Sequence, residues 1–157
     1  VYDIVRWFEQ FENVDGLLEG LPGWIFIEWS KSNKLVRDIG FATNMLYAYM
    51  LEKVSALYGD DIYEHKAAQL KETIRKRSYM GPFFCDNEVY QEGKLQLSGE
   101  CSETCQYYAF FTGVATPETY PELWEILTKD HSTGGTCHAG KSGDLRRQYS
   151  KTAAFEK

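Results

Sequence analysis

The chain has 157 residues, 43% of them hydrophobic and 15% aromatic, enough for one globular domain with a sizeable core rather than a disordered chain. Its formal charge of -6 argues against a nucleic-acid partner, because phosphate binding needs clustered Lys and Arg. No run approaches the roughly 18 apolar residues of a membrane span, so no membrane partner is expected. The sequence opens at Val1 without an initiator Met or the zones of a signal peptide, which reads as an internal piece of a longer chain.

Residues 2–13 carry Ile4, Val5, Trp7, Phe8 and Phe11 on a helical pattern, broken by Gly16 and by Gly20-Leu21-Pro22-Gly23. Trp24 to Trp29 is a short apolar segment bounded by breakers, readable as strand or buried loop. The clearest helix spans 42–58, where Tyr47, Met50, Leu51, Val54, Leu57 and Tyr58 recur at three- and four-residue steps and mark a buried stripe. Gly59 stops it. Asp61 and Glu64 then have capping-box spacing, and Ala67, Leu70 and Ile74 continue an apolar face through 61–77. So short a connection predicts an antiparallel helical hairpin. The basic cluster Arg75, Lys76 and Arg77 closes its second helix, where it complements the negative end of the dipole.

Residues 79–100 change character. Gly81-Pro82 breaks the pattern, and the Gly93 turn follows Val89, so this stretch reads as a long ordered loop or small hairpin. A helix over 102–115 is apolar nearly all round and is expected to be buried on several sides. Thr119, Glu122 and Pro121 open a last helix through Leu127. From Asp130 to Lys157 five glycines and few large apolar residues make an irregular tail of unrelated character.

The tail holds Gly135-Thr136-Cys137-His138-Ala139-Gly140-Lys141-Ser142, a letter match to the phosphate-cradling loop of nucleotide hydrolases. That loop needs a buried strand feeding it, and Thr128 to Thr133 is not one. The four cysteines, Cys85, Cys101, Cys105 and Cys137, are unevenly spaced. Cys101 and Cys105 sit four apart, but no second ligand pair has matching spacing, so no metal is expected and the thiols read as reduced and mostly buried. Reduced cysteines point to the cytoplasm ahead of secretion.

Four strings stand out across the body: Gly23-Trp24-Ile25-Phe26-Ile27-Glu28-Trp29-Ser30-Lys31-Ser32-Asn33; Asn44-Met45-Leu46-Tyr47-Ala48; Phe83-Phe84-Cys85-Asp86-Asn87; and Ser102-Glu103-Thr104-Cys105-Gln106-Tyr107-Tyr108-Ala109. Together they resemble the six-hairpin catalytic domain of bacterial α-L-rhamnosidases, over about residues 1–129. The resemblance implies an all-α fold, a partial (α/α)6 toroid of helical hairpins with long ordered loops. It also implies a glycoside hydrolase that cleaves terminal α-L-rhamnosides or related sugars by inversion, without cofactor. In that chemistry one carboxylic acid protonates the leaving oxygen while a second carboxylate activates water, the two roughly 6.5–9.5 Å apart.

The likeness puts Glu28 where the family has an acidic residue and Trp29 where it has a sugar-stacking Trp, and sets Glu103, Thr104 and Gln106 near the cleft. Trp24, Asp86 and Asn87 complete the substrate-binding candidates. A carboxylate set among aromatics, as Glu28 would be if buried, is expected to have the raised pKa that a glycosidase acid needs, though an alternating segment also suits a surface Glu. Asp86 and Asn87 are equally common turn formers, and Glu103 suits a helix N-terminus. The family's Arg-Asp-Glu-Arg-type acid motif has no counterpart here, and its general base lies further downstream. Neither catalytic carboxylate is therefore assigned, and the remainder of the parent catalytic domain is the expected partner alongside the carbohydrate. The competing reading is a non-catalytic carbohydrate-binding or structural helical domain.

Overall fold

The computed structural model describes residues 1–23, 25–27, 32–35 and 37–129. In chain order these form α1 (Tyr2–Glu9), a 3-10 turn at Ser32–Leu35, β1 (Ile39–Gly40), α2 (Phe41–Tyr58), α3 (Asp61–Ser78), β2 (Asn87–Gln91), β3 (Lys94–Leu97), α4 (Glu103–Phe111) and α5 (Pro121–Lys129). None of these helices is long and apolar enough to cross a membrane.

The hairpin of α2 and α3 is the backbone of the structure. Gly59 caps α2 in the left-handed conformation at φ 70°, which only glycine adopts without strain, and its N–H returns to Ser55 O at 2.8 Å. The cap of α3 is Asp60, whose carboxylate accepts from Ile62 N at 3.2 Å, one residue before the expected Asp61. Leu51, Val54, Ala67, Leu70 and Ile74 are buried between or beneath the two helices, and Lys71 Nζ meets Glu52 Oε2 at 2.6 Å across them. The stripe predicted along α2 is buried at Tyr47, Leu51 and Val54 but ends before Leu57 and Tyr58, which are exposed.

Helix α1 stops at Glu9, short of the expected 13, because Asn13 makes a competing turn. Its side-chain oxygen accepts from Asp15 N and Leu17 N, and Gly16 follows at φ 77°. The chain then doubles back, with Glu19 N donating to Phe11 O at 2.9 Å.

The expected all-α (α/α)6 toroid is overturned. The described residues make a small α+β domain, five helices with a three-stranded antiparallel sheet in the order β1-β2-β3. The reason lies in residues 87–97. Glu92 at φ 51° and Gly93 at φ 77° occupy a two-residue turn with Gln91 opposite Lys94, the conformation whose twist matches paired strands. Ile39 and Gly40 then pair with Glu88 and Asn87, so β1 joins the sheet just before α2 begins. Of the two readings offered for residues 79–100 the small hairpin is the one realised, while β1, only two residues long, leaves no periodic signal in the sequence.

The three cations ending α3 do more than face its dipole. Arg75 Nε donates to Val114 O at 2.7 Å, Arg77 pairs with Glu88 and with Asp15, and Lys76 with Glu72. Two of the three tie the helix terminus to the segment after α4, to β2 and to the loop after α1. Residues 130–157, with the phosphate-loop match, lie outside the described residues.

Candidate functional site

Helix α4 carries one face built for structure and one face left open. Ser102 caps it, its Oγ accepting from Cys105 N at 3.2 Å. The same Oγ donates to Asp86 Oδ1, and Ser102 N donates to Asp86 Oδ2, both at 2.5 Å. One turn on, Gln106 accepts from Phe84 N at 2.8 Å and donates to Phe84 O at 2.9 Å and Ser102 O at 2.8 Å. A fully buried amide reproducing a β-pairing against Phe84 fixes the rotation of α4 about its axis.

Asn44 does the same service in α2. It accepts from Leu18 N at 2.7 Å and donates to Leu18 O at 3.1 Å and Gly40 O at 2.9 Å. Phe41 N in turn donates to Asp86 O at 2.7 Å. Three of the four strings that carry the rhamnosidase likeness thus meet in one buried hydrogen-bonded frame.

That frame takes up three of the expected substrate contacts. Asp86, Asn87 and Gln106 are 6%, 1% and 0% exposed. Asp86 neutralises the start of α4, Asn87 holds a strand position opposite Gly40, and Gln106 locks a helix face. Glu103 is different. It stays at the surface in the first turn of α4 and accepts a hydrogen bond from Tyr107 Oη at 2.6 Å. Trp24, Glu28 and Trp29 lie outside the described residues.

Because Cys105, Gln106 and Ala109 point inward, the opposite side of α4 presents Glu103, Tyr107 and Phe111 at successive four-residue steps. Tyr107 and Phe111 are 39% and 63% exposed on a helix expected to be buried on several sides. With Thr104, Tyr108 and Leu46 of α2 they line an open cleft of about 530 Å³. Phe111 packs on Tyr49 with ring centroids 5.2 Å apart, and Lys53 Nζ sits 4.6 Å above the Tyr49 ring. The cleft has aromatic walls, a threonine hydroxyl and a tyrosine hydroxyl at its edge, and Glu103 at the rim. The i, i+4, i+8 spacing of Glu103, Tyr107 and Phe111 was the available signal; the apolar residues on the other faces of the helix obscured it.

A second, polar groove of about 770 Å³ lies between the loop after α1 and helix α3. Lys66 Nζ bridges Glu9 and Glu12 there, 2.8 Å from each, and Tyr47 Oη donates to Glu12 Oε1 at 2.5 Å. Burial pushes the Tyr47 hydroxyl far above its ordinary range, and the Glu12 carboxylate adds to this. Burial alone would lower Lys66, but its two carboxylates overcome that and raise it. Both carboxylates are committed to a closed network that pins α1 and its loop onto α3, which suits architecture rather than acid–base work. Among the described residues no group of three His, Cys, Asp or Glu side chains is placed to hold a metal ion.

Comparison with family models, curated proteins and solved structures yields no match. The likeness to α-L-rhamnosidases therefore rests on the quoted strings alone.

Proposed function

We propose that the chain contributes a carbohydrate-binding surface to a glycoside hydrolase that removes terminal α-L-rhamnosyl or related deoxy-sugars by inversion. The observation that supports this is the aromatic cleft of α4 and α2. Deoxy-sugars combine an apolar ring face and methyl group with a few directed hydroxyls. An open aromatic wall with hydroxyl and carboxylate groups at its rim is the complementary surface. In this reading Tyr107 and Phe111 stack on the sugar, and Glu103 accepts from its hydroxyls while orienting the Tyr107 ring.

Among the described residues the cleft walls carry no carboxylate, and in this reading the general acid and base come from outside these walls. A second reading rests on the same observation. An aromatic cleft with one carboxylate at its rim also suits a domain that binds sugar and leaves catalysis aside.

The test has two arms. The 157-residue chain, labelled with 15N, is titrated with L-rhamnose, and amide shifts are followed for residues 103–111. Shifts confined to this helix and abolished by Tyr107→Ala support the cleft; shifts elsewhere, or none at saturating sugar, overturn it. The longer protein is then assayed on p-nitrophenyl α-L-rhamnopyranoside, with the anomer of the first product read by NMR. Release of the inverted sugar supports the hydrolase, and binding without turnover selects the second reading.

A further inference from the structure

Three buried cysteines converge where the base of the β2–β3 hairpin meets the start of α4. The segments 84–86 and 100–102 run side by side there. Asp86 N donates to Glu100 O at 2.8 Å, and Ser102 N donates to Asp86 Oδ2 at 2.5 Å. These bonds flank Cys101 and set it across from Cys85, with Cys101 Sγ 3.9 Å from Gly99 O and Cys85 Sγ 3.5 Å from Asn87 O. Both are free thiols, 0% and 3% exposed. Ser98 Oγ lies 3.5 Å from Cys85 Sγ on the far side. The third thiol, Cys105, points at Cys85 O, 3.8 Å away, along the backbone rather than at the pair.

We propose that Cys85 and Cys101 form a redox site that closes to a disulfide when the protein meets hydrogen peroxide. Cys85 is the attacking sulfur. The Cys101 S–H beside it holds its thiol down to about 6 against the opposing effect of burial, with the Ser98 hydroxyl and the backbone at Asn87 and Gly99 assisting. That direction favours the thiolate of Cys85, and the thiolate is the reactive form. Cys101, beside Cys85 and itself buried, is pushed well above the ordinary thiol range and keeps its proton.

The steps balance. The Cys85 thiolate attacks one peroxide oxygen, the O–O bond breaks, and the departing hydroxide takes up a proton as water, leaving Cys85 as a sulfenic acid. Cys101 sulfur then attacks Cys85 sulfur. The S–S bond forms, the S–O bond breaks, and the hydroxyl leaves as a second water with the Cys101 proton. Two thiols and one peroxide give one disulfide and two waters. Peroxide is small enough to reach a buried thiol through local opening of a hairpin base. The new bond joins the two ends of the hairpin segment beside the Asp86–Ser102 cap, so oxidation stiffens the support of α4.

The full chain is treated with hydrogen peroxide under native conditions, quenched with N-ethylmaleimide, and read by intact mass and peptide mapping. The expected product has lost two hydrogens, keeps two of its four cysteines open to maleimide, and yields a linked Cys85–Cys101 peptide. The same link should persist in Cys105→Ser. In Cys101→Ser the Cys85 sulfenic acid should be trapped by dimedone. A link through Cys105 or Cys137, a sulfinic acid at Cys85 with no link, or four intact thiols would each overturn the proposal. The wild-type peptide map decides it even where a variant fails to fold.

Discussion

The two faces of α4 make the most instructive contrast in this molecule. The inner face holds Gln106, Ala109 and Cys105 at 0% exposure, and its polar groups have partners in Phe84, Cys85, Ser102 and Asp86. The outer face leaves two large aromatic rings half in water over a shallow cleft. Burial of a polar side chain is tolerable only when its hydrogen bonds are replaced, so the inner face is committed to one arrangement. Exposed aromatic surface carries no such obligation. It is where binding can be added or removed with little effect on folding.

Substitutions on the inner face should therefore unfold the protein, and those on the outer face should not. The largest effect is expected for Asp86→Ala, which strands the Ser102 N–H and hydroxyl in a buried site and releases the cap of α4. A loss of about 3–5 kcal/mol of stability is expected from removing a buried charged acceptor, measured by urea unfolding. Gln106→Ala follows, at about 2–4 kcal/mol, because it orphans both the N–H and the C=O of Phe84 and opens a small cavity. A midpoint within experimental error of wild type for either variant would refute the framing role given to it.

The cysteine pair gives a third, pH-dependent effect on the inner side. An unfolded thiol titrates near about 8.5, whereas Cys85 in the fold is lowered to about 6 and Cys101 is raised. Between those first two values the unfolded pair holds both protons and the folded pair only one, so stability rises with pH. Above the unfolded value the order reverses, since the folded pair keeps a proton the unfolded chain has lost, and stability falls. Melting temperature followed from pH 5.5 to 10 should peak near the unfolded thiol value, and Cys85→Ser should flatten the rise.

Tyr107→Ala and Phe111→Ala, on the outer face, should change stability by no more than about 1 kcal/mol while weakening sugar binding about tenfold, the loss of one stacking contact. The smallest effect is expected for Glu103→Gln. It should lower stability by about 0.5 kcal/mol through the lost helix-terminus charge, with a modest loss of affinity read in the same titration. Destabilisation by Tyr107→Ala as large as that of Gln106→Ala would erase the distinction between the two faces.

The residues that carry the family likeness sit mostly on the structural side of this contrast. Asp86, Asn87 and Gln106 read from the sequence as polar groups at loop ends and helix starts, where ligand contacts are common. Nothing in the string Phe83 to Asn87 reveals that Phe84 will need an amide partner from α4. Glu103 kept its surface position, since a charged residue in the first turn of a helix is held there by the dipole and by water. For Tyr107 and Phe111 the sequence offered only a helix apolar on nearly every side and expected to be buried on several of them. Hydrophobicity shows that a face prefers burial; it does not say whether another element arrives to bury it.

Read alone, the sequence determined the α2–α3 hairpin, its Gly59 stop, the turn at Gly93 and the helices opening at Ser102 and Pro121, because periodicity, caps and breakers are local signals written in consecutive residues. The tertiary structure decided that a three-stranded sheet forms, that Asn44, Asp86, Ser102 and Gln106 close one buried frame, that Cys85 meets Cys101, and which face of α4 stays open. Each of these depends on pairing residues distant in the chain, and the energy of such a pairing belongs to neither partner's own sequence neighbourhood.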